Sequence, residues 1–391
     1  MDKKQQKKEE LIKKANQAWL CLAQKIFLKN RLQETKPWGY FNLTPSRSQG
    51  RKVPLIYINT VGCFHKFKGG CTMCDLGYLN NRIRVSQKQI KNRFVRALDF
   101  AESNNKNYEH GIFNINACGS FFDQREVPLK IREYVLKRIA SNKKRHKRTM
   151  FVTESRLEFI NKELLEEVRS ILGYDTEIKV GFGIESTNDI IREACVNKGL
   201  PKDYRDKLKL IKKYNIKRDA HVIFKPPFLT EKEAIGDVVN SVKELFRDNL
   251  SDFVVIMTMN LKPMTFLKKL EKEGLYKLPS IWSVIEIIKR LGPDACQHIF
   301  FNGFITDRGS SVKIVKGCDY CSPLLMPKIL NFNRPNKKQW RELIKFSKSI
   351  SCPCKIDWKK EMNRQNKTSI ESRIISRLNL LSLKYLNKKV L

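Results

Sequence analysis

The sequence predicts an α/β fold, a partial (β/α)6 barrel with a helical extension in front of it and a small cysteine-containing region behind it. Three observations lead there. From Val53 onward, six short apolar runs alternate with stretches of helical periodicity. A strand that returns parallel to its neighbour needs a crossover helix, so this alternation reads as a parallel sheet. At 391 residues and 41% hydrophobic content, the chain can bury a full core and still carry an appended unit. Six units rather than eight leave the barrel open on one side, where a large substrate could enter.

Taken in order, residues 8 to 34 place Leu11, Ala15, Ala18, Trp19, Leu22, Ile26 and Phe27 at steps of three and four, an amphipathic helix expected to pack on the main domain. Asn42 to Lys52, with Pro45, Arg47 and Gly50, reads as a basic connector. The predicted strands are Val53 to Thr60, His110 to Ala117, Thr149 to Thr153, Ile178 to Ile184, Asp219 to Phe224 and Asp252 to Met259. The predicted helices are Ser86 to Ser103, Val127 to Ala140, Asn161 to Leu172, Ile190 to Val196, Tyr204 to Tyr214 and Glu231 to Phe246. The expected division is 1–50 for the helix and connector, 51–300 for the barrel, and 301–391 for a cysteine-rich region with a basic tail.

The N-terminus is charged from Lys3, and no apolar run reaches the roughly 18 residues of a membrane span, so a soluble cytoplasmic protein without a membrane partner is expected. Eleven cysteines in such a chain argue for metal ligands and buried thiols, because the cytosol keeps disulfides reduced. Net charge is +37, from 77 Lys and Arg against 40 Asp and Glu. That imbalance attracts polyanions, nucleic acid first. The basic run at 142–148 precedes the third strand and reads as a solvated loop. The tail from Lys355 holds ten basic residues, with Ile370, Ile374, Ile375, Leu378 and Leu381 at helical spacing; it suits either RNA phosphates or a cap on the barrel.

Cys63, Cys71 and Cys74 stand in the order C-x7-C-x2-C, just after the first apolar run. Three close thiolates suit an iron–sulfur cluster, and a four-iron cluster held by three cysteines leaves one iron open for chemistry. Zinc, with His65 as a fourth ligand, and three unrelated thiols are the other readings. The loop resembles that of the radical S-adenosylmethionine (radical SAM) superfamily. The resemblance implies a 4Fe-4S cluster whose open iron binds S-adenosylmethionine, reductive cleavage to a 5′-deoxyadenosyl radical, a barrel of TIM type, and an external electron donor of the flavodoxin or ferredoxin kind.

Barrel enzymes work at the C-terminal ends of their strands. After the second strand stand Gly119 and Ser120, after the third Glu154 and Arg156, at the end of the fourth Glu185 followed by Asn197-Lys198-Gly199, and after the fifth Lys225 before Pro226 and Pro227. By the resemblance, Gly119 and Ser120 lie at the methionine ammonium, Glu185 suits the ribose hydroxyls, and Glu154 and Arg156 also orient S-adenosylmethionine. Lys225 suits a phosphate or carboxylate. Their order, with Tyr276 to Ser283 beyond, resembles one branch, the radical SAM subunit of archaeosine synthase and its elongator-type relatives, over about 54 to 358. That likeness implies tRNA as substrate, C–N bond cleavage of a lysine-modified 7-deazaguanine, and a partner enzyme that prepares it. A free amino acid, small molecule or peptide is the alternative substrate, and a zinc-stapled RNA-binding protein the non-enzymatic alternative. Cys318 and Cys321 with Cys352 and Cys354 supply four more thiols, enough for zinc or a second cluster. Cys21, Cys118, Cys195 and Cys296 read as buried or incidental thiols.

Overall fold

The computed structural model describes residues 3–28, 41–48, 51–76, 86–103, 111–142, 149–303, 313–333 and 337–391, with 41–54 as backbone. One sheet runs in chain order through β1 (Phe41–Ser48), β2 (Arg51–Ile58), β3 (Ile112–Ala117), β4 (Met150–Glu154), β5 (Glu177–Glu185), β6 (Ile216–Phe224), β7 (Phe253–Thr258) and β8 (Ile299–Asn302). From β2 to β8 every pairing is parallel, and these seven strands curl into a partial barrel.

The six expected strands are all present, and two more join them. β8 has only four residues, too short for its alternation to stand out. The expected connector Asn42 to Lys52 instead forms most of an antiparallel hairpin, Phe41 opposite Ile58 through Ser48 opposite Arg51. Pro45 is tolerable there because β1 is an edge strand, which leaves one row of backbone groups unpaired. Parts of other expected elements, His110, residues 29–34 and 143–148, lie outside the described residues.

Helices cover the outer face: α1 (Lys3–Ala23), α2 (Gln87–Glu102), α3 (Leu129–Ser141), α4 (Lys162–Leu172), α5 (Tyr204–Lys213), α6 (Glu231–Arg247), α7 (Phe266–Lys272) and α8 (Ile281–Ala295). Four follow β8: α9 (Cys321–Phe332), α10 (Lys337–Ser349), α11 (Pro353–Asn363) and α12 (Ile370–Leu386). Ser86 and Thr230 start α2 and α6 with capping boxes, closed by Gln89 and Glu233. Strand alternation divides the side chains. Phe113, Ile115, Phe151, Ile178, Val180, Phe182 and Val222 enter the main core with the helices, while Ile112, Met150 and Val152 form a small second cluster. Among the described residues, no helix is long and apolar enough to cross a membrane.

Candidate active site at the strand ends

The cysteine loop leaves β2 and is held from three sides. Gly69 and Gly70 take φ of +95° and +64°, open to glycine without strain. A Cβ on Gly69 would stand 3.0 Å from the backbone of Leu20, so α1 packs directly on the turn. The segment after β5 grips the other side. Asn197 Nδ2 donates to the carbonyls of Lys68 (3.1 Å) and Gly70 (2.8 Å), and Thr72 N donates to Val196 O at 2.9 Å. His65 Nε2 donates to Asn197 O at 2.6 Å, and burial holds the imidazole neutral, well below its usual pKa. That bond commits Nε2 to a carbonyl.

Burial pushes the Cys63 thiol up to about 11 and the Cys74 thiol up to about 12, and raises Cys71 as well. Cations oppose burial at each sulfur: Arg156 at Cys63, Lys198 and Arg156 at Cys71, Lys262 at Cys74. Cys71 also raises Cys63, and Cys71 and Cys63 together raise Cys74, so the thiols lie within reach of one another's charge. This donor set fits a cluster. Its thiolates need compensating charge, and three cations surround it.

The third side of the loop is the turn after β3. A Cβ on Gly119 would stand 2.7 Å from Cys63 Cα and 2.5 Å from Glu126 Oε2, so only glycine fits between them. The N–H groups of Gly119 and Ser120 each donate to Glu126 at 2.7 Å, and Thr60 Oγ1 donates to the same carboxylate. Burial lifts Glu126 to about 7 despite these donors. Ser120 Oγ accepts from Arg156 N at 3.1 Å. The Arg156 guanidinium reaches the carbonyls of Lys198 (2.7 Å) and Gly199 (3.0 Å) and pairs with Glu158. Burial works against its charge, but Cys71, Cys63 and Glu158 outweigh that and raise its pKa.

Glu185 ends β5 at a bulge, with φ of +66°, and its Oε1 lies 2.8 Å from Lys198 Nζ in a buried pair. A Cβ on Gly183 would collide with both groups, so the glycine makes room for the pair. Lys225, at φ +65°, is likewise buried and paired, 2.5 Å from Glu231 Oε2, and its carbonyl accepts from Tyr276 OH at 2.8 Å. The lysine read as suited to a phosphate or carboxylate thus stands in an ion pair with Glu231. Glu154 Oε1 accepts from Tyr57 OH at 2.9 Å.

Sequence reasoning missed several residues here. Asn197 and Lys198 carried no role in the sequence reading and Glu126 did not stand out in it, because their partners appear only when loops fold together. Lys262 pairs with Asp75 at 3.0 Å across 187 positions. His221 on β6 approaches to 3.1 Å of where a Gly181 Cβ would stand, and Glu154 Cγ does so from the other side. Beside them lie Asn116, whose buried Oδ1 has no hydrogen-bond partner among the described residues, and the Lys179–Asp219 pair at 2.7 Å. Tyr57 stands opposite Asn116, and Gly181 stands between Glu154 and Asp219, so these residues form a polar row on the sheet. The sulfurs of Cys318, Cys321, Cys352 and Cys354 converge within 4.8 Å of one another.

No family model matches the chain. It is 28% identical over 349 residues to an uncharacterized protein of Methanocaldococcus jannaschii, covering 88% of this chain and 90% of that one. It is 27% identical over 240 residues to archaeosine synthase subunit beta of Methanosarcina acetivorans, covering 61% of this chain and 66% of the relative. The Thermococcus kodakarensis protein of the same name is 24% identical over 236 residues, with 60% and 70% covered. Among solved structures, Methanocaldococcus infernus Elp3 lacking its N-terminus superposes with a TM-score of 0.43 at 17% identity, covering 68% of this chain and 60% of that one.

Proposed function

We infer, from the premise that this chain is a radical SAM enzyme related to archaeosine synthase subunit beta, that it forms a 5′-deoxyadenosyl radical to modify a tRNA nucleoside. The observation that carries this reading is the packing of the Gly119–Ser120 turn directly on Cys63, with Arg156 and Lys198 charged beside the half-buried thiols. Cys63, Cys71 and Cys74 would hold a 4Fe-4S cluster. When bound, the cluster supplies the electron for reductive cleavage of S-adenosylmethionine, drawn in turn from an external flavodoxin or ferredoxin.

The chain's own residues fix the surroundings of that chemistry. Arg156, Lys198 and Lys262 offset the thiolate charge that burial otherwise disfavours. Glu126 holds the Gly119–Ser120 turn by both N–H groups and Asp123 N donates to Ser120 O at 3.2 Å, so the turn that would meet the ammonium is fixed in place. Glu185 stands ready for ribose hydroxyls, pre-oriented by Lys198, and Glu154 and Arg156 complete the cofactor side. Lys225 acts through its ion pair, shaping the mouth rather than offering a free charge. In this reading residues 51–300 form the catalytic barrel, with 1–50 as its N-terminal extension and 301–391 as a separate C-terminal region.

The name of the relatives and the +37 charge support a tRNA substrate, with archaeosine-type C–N cleavage of a lysine-modified 7-deazaguanine that a partner enzyme prepares. The test is anaerobic reconstitution with iron and sulfide, then dithionite and S-adenosylmethionine, with and without bulk tRNA, quantifying 5′-deoxyadenosine. Stimulation by tRNA is expected. Production indifferent to tRNA overturns the tRNA reading in favour of a small molecule or peptide. No 5′-deoxyadenosine under any condition overturns the radical chemistry.

A further inference from the structure

We propose that Cys318, Cys321, Cys352 and Cys354 bind one zinc ion in a closed structural site that braces the barrel mouth. The sulfur geometry carries this. Cys318 Sγ lies 3.7 Å from Cys321 Sγ, Cys321 Sγ 3.4 Å from Cys354 Sγ, and Cys354 Sγ 3.5 Å from Cys352 Sγ. Four sulfurs at a zinc–sulfur distance of ~2.3 Å occupy a tetrahedron whose edge is about 3.8 Å. The observed separations are close to that edge. They are far longer than a disulfide bond of ~2.05 Å. A four-iron cube carries its cysteines on separate corners, which spreads the sulfurs wider than a single ion does. One ion fits; a second cluster does not.

The local chain is built for such an ion. Cys318 and Cys321 flank the turn that starts α9, closed by Ser322 N donating to Cys318 O at 2.9 Å. A Cβ on Gly317 would stand 2.3 Å from Cys321 Sγ, so glycine keeps the sulfur's place clear. Cys352 caps α11, and Pro353 in its first turn needs no hydrogen-bond partner for a missing N–H. Two donors already point at one sulfur: Cys318 N and Trp282 Nε1, 3.4 and 3.3 Å from Cys354 Sγ. Such outer bonds to sulfur orient a metal-bound thiolate and spread its charge. With four protein sulfurs, no position is left open for substrate, so the site is structural.

What it braces follows from Trp282. Its neighbour Ser283 donates to Glu231 Oε1 at 2.5 Å and accepts from Trp358 Nε1 of α11 at 2.7 Å. Ser280 N donates to the same Glu231 oxygen at 2.7 Å, and the other oxygen holds Lys225. The four sulfurs thus connect through α8 and α11 to the left-handed backbone of Lys225 at the strand ends. This inference stands on residues separate from Cys63, Cys71 and Cys74, and it holds or fails independently of the radical reading.

The experiment is metal analysis of the full chain purified anaerobically, beside a Cys318→Ser/Cys354→Ser variant and a Cys63→Ala/Cys71→Ala/Cys74→Ala variant. One zinc per chain is expected in the parent. The serine pair should lose it at least tenfold while keeping iron, and the alanine triple should lose iron while keeping zinc. Should the serine pair fail to fold, growth of the parent in cobalt replaces the test: the charge-transfer and visible bands of tetrahedral thiolate-bound cobalt are expected. Zinc retained in a soluble serine pair overturns the proposal. So does iron in place of zinc in the alanine triple, or cobalt protein without those bands.

Discussion

Lys198 and Glu185 form a buried pair beside the cysteine loop, and each is costly without the other. Burial lowers the lysine's pKa, but Glu185 and Cys71 more than restore it. Replacing Lys198 with Met leaves the carboxylate uncompensated, and we expect a loss of about 3–5 kcal/mol in stability, read from the urea midpoint. Adding Glu185→Leu should return part of that loss; a double variant no more stable than the single would argue against the pair. Asp237 offers a pH test away from the loop. Its Oδ1 accepts from Ser186 Oγ at 2.7 Å, its Oδ2 has no hydrogen-bond partner among the described residues, and burial lifts the carboxyl from 3.8 to about 7. Between those values the unfolded chain releases a proton that the folded chain keeps, so stability falls as pH rises. The full window amounts to about 4 kcal/mol. Unfolding curves of Asp237→Asn should lack that decline, and parallel curves for parent and variant would count against the raised value. The sequence showed which strand ends carry Glu185 and Arg156, because order along a barrel is a local property. It did not show that Lys198 closes onto Glu185 or Lys262 onto Asp75, because those pairings exist only once separate loops meet.

At the level of elements, the N-terminal helix does more than cover the barrel. Trp19 is fully buried, its Nε1 donates to Ala194 O at 2.8 Å, and its ring lies 4.9 Å from Phe266 and 6.0 Å from Phe228. One residue thus joins α1, the π-helical turn Ile190–Cys195, the segment before α6 and the start of α7, while its backbone sits against Gly69. Trp19→Ala should cost about 3–5 kcal/mol through the lost contacts and the cavity. Because the same contacts support the cysteine loop, iron retained after reconstitution should fall with it. Full iron content at reduced thermal stability would separate α1 from the loop. The periodicity of α1 was legible, since Leu11, Ala15, Ala18, Trp19 and Leu22 repeat along one face, but a periodic pattern names a buried face without naming its partner. β1 and β8 were not legible for opposite reasons. β1 is polar and carries Pro45 at an edge, and β8 pairs with β7 through four residues only.

For the whole molecule, the question is which of the excess of 37 positive charges would meet RNA under the proposed reading. Some of the basic tail is already spent inside the fold. Arg373 donates to Phe228 O at 2.8 Å and pairs with Glu233, Lys384 pairs with Glu273, and Ile374, Leu378 and Leu381 bury one face of α12. Of the two readings of the tail, capping therefore describes α12, while Lys359, Lys360, Arg364 and Lys367 stand exposed along the end of α11 and the turn after it. Each exposed cation that reaches a phosphate releases counterions, steepening the fall of affinity with salt by about 0.7–0.9 in log–log slope. Replacing these four residues with Gln should leave the thermal midpoint within about 2–4 °C of the parent, because surface substitutions of this kind cost little. Titrations of tRNA at increasing salt should show weaker binding and a slope shallower by about 3. An unchanged slope would assign the phosphate contacts to another face of the protein, and a slope near zero in the parent would remove RNA as the partner that the charge attracts.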